Sequence, residues 1–190
     1  MTSQPRLFSD DARRAFAQRD GSDYEAITHR FPGARIIEPQ QTPGSYVHYI
    51  VQYENTEPET INVKRRWEGH IPVTTGGHPS VAIETVSRKT PRFTDWIPGW
   101  TIDRSITTID WVMYTFPSNV TDRTYFFPYR TLRAVTLVNL EAWRRLFGEK
   151  ETRTRRVDGG IDRSSAIFVP GNVVQAAISK FDPLEARLLL

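Results

Sequence analysis

The stretch ETINVKRRW, residues 59 to 67, alternates apolar and polar side chains with a period of two. An extended strand places Ile61 and Val63 on one face and sets Asn62 and Lys64 side by side on the other. The pattern recurs. SYVHYIVQY (45 to 53) is rich in aromatic and β-branched residues, and VAIETVSR (81 to 88) sets Ala82, Glu84 and Val86 against Val81, Ile83 and Thr85. ARII (34 to 37) is a shorter strand, while DWVMYTF (110 to 116) and RTYFFPY (123 to 129) read as a pair around the turn PSNVTD. Each half-apolar strand has a face to bury, and two segments offer helices to cover it. Residues 9 to 31 read as helix broken at Asp20-Gly21, with Ser9 and Ser22 as N-caps and with Tyr24, Ile27, Thr28 and Phe31 along one face. Residues 130 to 147 carry Leu132, Val135, Asn139, Ala142, Trp143 and Leu146 at helical steps, with Arg133, Glu141, Arg144 and Arg145 on the other side.

Beyond that helix, KETRTRRVDGGIDRS reads as a polar turn region, SAIFVP as a strand, and GNVVQAAISKF as a short helix start or turn. The expected class is α/β or α+β, a mixed central sheet flanked by helices. Residues 45 to 53, 59 to 67 and 81 to 88 are expected as consecutive neighbours in one sheet. A chain of 190 residues with 38% hydrophobic content builds one substantial core, read here as a single domain over 1 to 190 with its centre at about 22 to 147 and an extension at 148 to 190.

The absence of cysteine removes disulfides and thiolate ligands, so a metal site must draw on Asp, Glu, His or backbone oxygen. The net charge of +3 is mild, but its distribution is not even. Arg65 and Arg66 end one strand, Arg88, Lys89 and Arg92 follow another, and Arg153, Arg155 and Arg156 follow the long helix, with Trp67, Phe93, Trp96 and Trp100 among them. Such residues contact phosphates and stack on unpaired bases; the alternative is a solvated surface over core aromatics. Helix-turn-helix and zinc-finger patterns do not occur, and TTGGHPS lacks the Lys-Ser/Thr ending of a P-loop.

In chain order these elements resemble the PD-(D/E)XK nucleases, especially small phage and prophage members. DYEAITHRF stands for the acidic first helix, SYVHYIV and INVK for the motif hairpin, and TTGGHPSVAIE, PGWTIDRSITTIDWVMYTF and RTYFFPYRTLR for the segments that follow in some phage forms. The resemblance covers about residues 22 to 147 and implies a restriction-endonuclease-like fold. It departs at the motif itself. His48 stands where the strand aspartate is expected and Asn62 where the glutamate is expected, leaving Lys64. Magnesium prefers charged oxygen ligands, so this pair is ill suited to it, while imidazole better suits other divalent ions.

Lys64, Glu84, Asn62 and His48 are therefore the candidate relic site. Lys64 would stabilise phosphate charge or orient a water, or it is one more polar strand residue. Asn62 and His48 read more simply as hydrogen-bonded structural groups. Glu84, alone on an apolar strand, and Glu25, on the first helix one turn from His29, are the metal candidates if the site is active, with Mg²⁺ or Mn²⁺ as cofactor; otherwise none is expected. The leading expectation is a protein that binds nucleic acid or a partner, including a second copy, without cutting. The alternatives are an active metal-dependent endonuclease using Glu84 and Glu25, and a virion or assembly protein. No apolar run suits a membrane span and the start lacks the apolar core of a secretory signal, so the expected setting is the host cytoplasm or a virion.

Overall fold

A computed structural model describes residues 21–40, 46–65, 79–89, 96–116, 124–155 and 161–181. The class is mixed α/β: a mixed five-stranded sheet, a four-stranded antiparallel sheet and three helices among these residues. In chain order they are α1 (Gly21–Arg30), β1 (Arg35–Ile37), β2 (Tyr49–Gln52), β3 (Glu59–Arg65), β4 (Ser80–Lys89), β5 (Trp96–Pro98), β6 (Trp111–Thr115), β7 (Tyr125–Pro128), α2 (Tyr129–Phe147), β8 (Glu149–Arg155), β9 (Ile161–Pro170) and α3 (Gly171–Lys180). The helix read from Ser9, the turn PSNVTD, and Arg66, Trp67, Arg92, Phe93 and Arg156 lie outside the described residues.

The first sheet runs β1-β2-β3-β6-β7. β1, β2 and β3 form an antiparallel meander, with Asn55 at φ 61 in the β2–β3 turn; asparagine tolerates this left-handed conformation. β3 then pairs in parallel with β6, Asn62 opposite Val112 and Lys64 opposite Tyr114. The expected neighbour, 81 to 88, is not there. It forms β4 of a second sheet, ordered β5-β4-β9-β8. Alternation specifies which face of a strand is buried but not which strand lies beside it, so the sequence could not separate the two sheets. Residues 149 to 155 are likewise a strand rather than a turn, for β8 pairs along its whole length with β9. An edge strand tolerates this charge, and it discourages pairing with another chain.

The two faces of the first sheet separate as the period of two requires, but both are covered, so Asn62 is buried as fully as Ile61. Ile61 joins Tyr49, Val51 and Met113 beneath Ile27 and Phe31 of the α1 region, with Val63 packed alongside. On the opposite side of the first sheet, Val112, Tyr114 and Phe127 share a larger cluster with Tyr129, Leu132, Val135 and Trp143 of α2 and with Val81, Ile83, Ile167 and Val169 of the second sheet. A hydrogen bond ties the sheets, the Ala82 amide donating to the Tyr114 hydroxyl oxygen at 3.0 Å. Two helix assignments need correction. Tyr24 is exposed, whereas Asp23 is buried in its place; on α2, Leu146 is exposed and Arg133, read as surface, is buried. The loop from Gly99 to Asp110 explains the second. It covers the first turns of α2, and Arg133 donates from Nη1 to the carbonyls of Asp103 at 3.0 Å and Ile106 at 3.2 Å.

Candidate functional site around Lys64

Lys64 projects from β3 away from α1 and meets the indole of Trp100, its Nζ 4.6 Å from the ring centroid. Lys64 is half-buried as a residue, and its ammonium is poorly hydrated. Loss of hydration lowers its pKa from 10.5 to about 8, and the negative charge of Glu84 partly offsets that. Thus Lys64 from the first sheet and Glu84 from the second face a common region between the sheets.

Glu84 is held in place by its neighbours. Its Oε2 accepts from the Ser87 hydroxyl at 3.0 Å and from the Trp100 amide at 3.4 Å. Its backbone is held as well: the amide donates to Thr101 Oγ1 at 2.8 Å, and that hydroxyl donates back to the Glu84 carbonyl at 3.1 Å. Trp100 stacks on Tyr129, with centroids 6.2 Å apart, and the Tyr129 hydroxyl donates to the Trp100 carbonyl at 2.6 Å. Burial pushes the Tyr129 phenol up to about 12, the positive charge of Arg133 acting against the shift. Arg133 lies 5.4 Å over the Tyr129 ring, and its Nε has no hydrogen-bond partner.

The two residues in the motif positions serve the backbone. Asn62 is 1% exposed; its Nδ2 donates to the Tyr46 carbonyl, while its Oδ1 has no partner. His48 accepts the Val63 amide on Nδ1 at 2.8 Å, and its own amide donates to the Ile61 carbonyl at 2.8 Å. An Nδ1 that accepts an amide proton is not offered to a metal in this arrangement. With His48 so engaged, Asn62 neutral, and Glu84 facing a lysine, the donor set does not fit Mg²⁺. Among the described residues no group of three or more His, Asp and Glu side chains converges as a metal site.

Glu25 and His29 are exposed on α1. The α1 helix packs on the Ile61 side of β3, so Glu25 and Glu84 are on opposite sides of the first sheet. The acid that α1 does bury is Asp23, paired with Arg65 at 2.6 Å and accepting the Tyr49 hydroxyl at 3.2 Å. Arg65, read from its sequence as one of the basic strand ends, thus points to α1 and pairs there. Arg88 and Lys89 stand at the end of β4, and Arg153 and Arg155 along β8. Sequence reasoning passed over Asp23, Tyr46, Tyr129 and Arg133; a charged residue within a helical apolar stripe was the available signal for Asp23 and Arg133.

The low Lys64 pKa has a measurable sign. Below pH 8 the folded state holds a charge that the unfolded chain solvates better, a penalty of at most about 3 kcal/mol. The penalty fades as pH rises through 8 toward 10.5, because the unfolded chain then binds the extra proton. Urea unfolding of the native chain should show this gain between pH 8 and 10, and Lys64→Met should lose it while being the more stable protein at pH 7. A native profile that matches the variant's over this window would contradict the poorly hydrated ammonium. Compared with protein-family models, curated protein sequences and solved structures, the chain matches none.

Proposed function

We propose that the protein binds nucleic acid and does not cut it, the face around Lys64 being a nuclease-like site that has lost its acids. What supports the non-cleaving half is the use made of Asn62 and His48. Both are spent on backbone groups, Asn62 on the Tyr46 carbonyl and His48 on the Val63 amide. Phosphodiester cleavage by a divalent ion needs carboxylates to fix the metal and charge to stabilise the departing oxygen. Lys64 keeps the second kind of group, and the carboxylate whose charge reaches it is Glu84 of the other sheet. The binding half draws on the basic residues at the ends of β4 and β8. This reading does not require residues 81 to 88 to lie beside 59 to 67, and they do not.

The test uses the full chain with single-stranded and duplex DNA and RNA. Binding is expected at low salt and should weaken steeply as salt is raised, as counterion release requires. No shortened products should form with Mg²⁺ or Mn²⁺. Cleavage that disappears in Glu84→Ala would make the protein an enzyme, and no binding to any of these at 50 mM salt would leave the proposal without support.

A further inference from the structure

We infer that the end of the second sheet is a contact surface for a nucleic-acid backbone, built on Lys89, Arg163 and Arg153 at directly opposed positions of β4, β9 and β8. The inference rests on the nucleic-acid reading above and adds the place and the residues, of which Arg163 belongs to none of the basic segments found in the sequence.

Arg163 is opposite Lys89 on one side and Arg153 on the other, so one row across three strands is cationic throughout. Neighbouring strands are about 4.8 Å apart. Like charges at directly opposed positions destabilise a sheet. Such a row persists at a cost that an extended polyanion would reverse. Glu151, two residues from Arg153 on β8, reaches Arg163 at 3.6 Å, with the two side chains 39% and 43% exposed. That is a loose surface pair, of small energetic weight.

The row is also not what uninterrupted pairing would produce. β4 and β9 pair without interruption from Ser80↔Pro170 to Glu84↔Ala166, and continuing that register would set Ser87 against Arg163. Two irregularities intervene, one between Glu84 and Val86 and one between Val86 and Lys89, and together they advance β4 by two residues. Each breaks the ladder locally, and bulges of this kind commonly re-aim residues beside functional sites. Here their combined result replaces a serine by a lysine in the row. Arg88 adjoins Lys89, and Arg155 lies two residues beyond Arg153, so the same end of the sheet carries further positive charge. Among the described residues the acids there are Glu151 and, opposite Thr154, Asp162. A row of cations at opposed positions of three strands suits the repeating charge of a phosphodiester chain better than a single phosphate.

The test is the triple change Lys89→Gln, Arg153→Gln and Arg163→Gln in the full chain, read by anisotropy of labelled oligo-dT and of a duplex between 50 and 300 mM salt. Affinity at 100 mM salt should fall at least tenfold, and the slope of log K against log salt should become shallower by about 2 to 3, since each lost phosphate contact removes roughly 0.7 to 0.9. The melting temperature should stay level or rise, because repulsion has been removed. The charge-keeping set Lys89→Arg, Arg153→Lys and Arg163→Lys should retain most of the affinity. Native binding that the triple change leaves within twofold would overturn this inference alone and put the contact elsewhere on the chain. A native chain that binds no nucleic acid overturns the parent reading as well. Loss of binding together with a lowered melting temperature would make the row structural, and native binding of polyglutamate as tight as of DNA would make it a docking surface for acidic protein; either result overturns the proposal.

Discussion

Gly99→Ala is expected to destabilise the protein by on the order of 3 kcal/mol or more, and to do so without touching any charged group. A Cβ at this position would sit far inside contact distance of the Glu84 carbonyl and 2.7 Å from the Thr85 amide nitrogen. Those are backbone atoms of β4, so no side-chain rotation relieves the clash. Gly99 is also fixed by its own hydrogen bonds: its amide donates to the Thr85 carbonyl at 3.0 Å, and its carbonyl accepts from the amides of Ile102 and Asp103, each at 2.9 Å. The loop must therefore move off β4, taking with it Trp100, whose ring lies over Lys64 and whose amide meets Glu84. Chemical denaturation should show the loss, and tryptophan fluorescence should report the change around Trp100. A variant within about 1 kcal/mol of the native chain would mean that the loop does not press on β4 as described.

Arg65→Met is expected to cost about 3 to 5 kcal/mol, because it takes the Arg65 charge from a buried carboxylate. Asp23 is 1% exposed and its partner 17%, so the pair is shielded from water far more than a surface salt bridge. Tyr49, itself fully buried, still donates to Asp23 but supplies no charge. Adding Asp23→Leu to Arg65→Met should recover much of the loss, since it removes the buried carboxylate that Arg65 served; the two changes should be far from additive. Additive effects in a double-mutant cycle would show that the two side chains act separately. The same experiment measures how much of Arg65 serves the fold.

The alternation in ETINVKRRW was enough to set Asn62 and Lys64 on one face of β3 and Ile61 and Val63 on the other, because the period of a strand is a property of the backbone alone. The same holds for the buried Leu132, Val135 and Trp143 of α2, where the helical period decides. The identities at 48 and 62 were legible too, and with them the shortage of carboxylates around Lys64. What lay beyond the sequence was every relation between distant segments. β4 repeats the pattern of β3 but belongs to another sheet, and the residue that brings it back to Lys64 is Glu84, across the space between the sheets. Arg133 reads as a surface residue until the loop at 103 to 106 supplies carbonyls for it, and nothing local to α1 announces that Arg65 of β3 pairs with Asp23. The row Lys89, Arg163 and Arg153 depends on two shifts in the β4–β9 register, which local propensity does not encode. Local periodicity is settled by a residue and its immediate neighbours, whereas burial of a charge is decided by which partner the fold delivers to it from elsewhere in the chain.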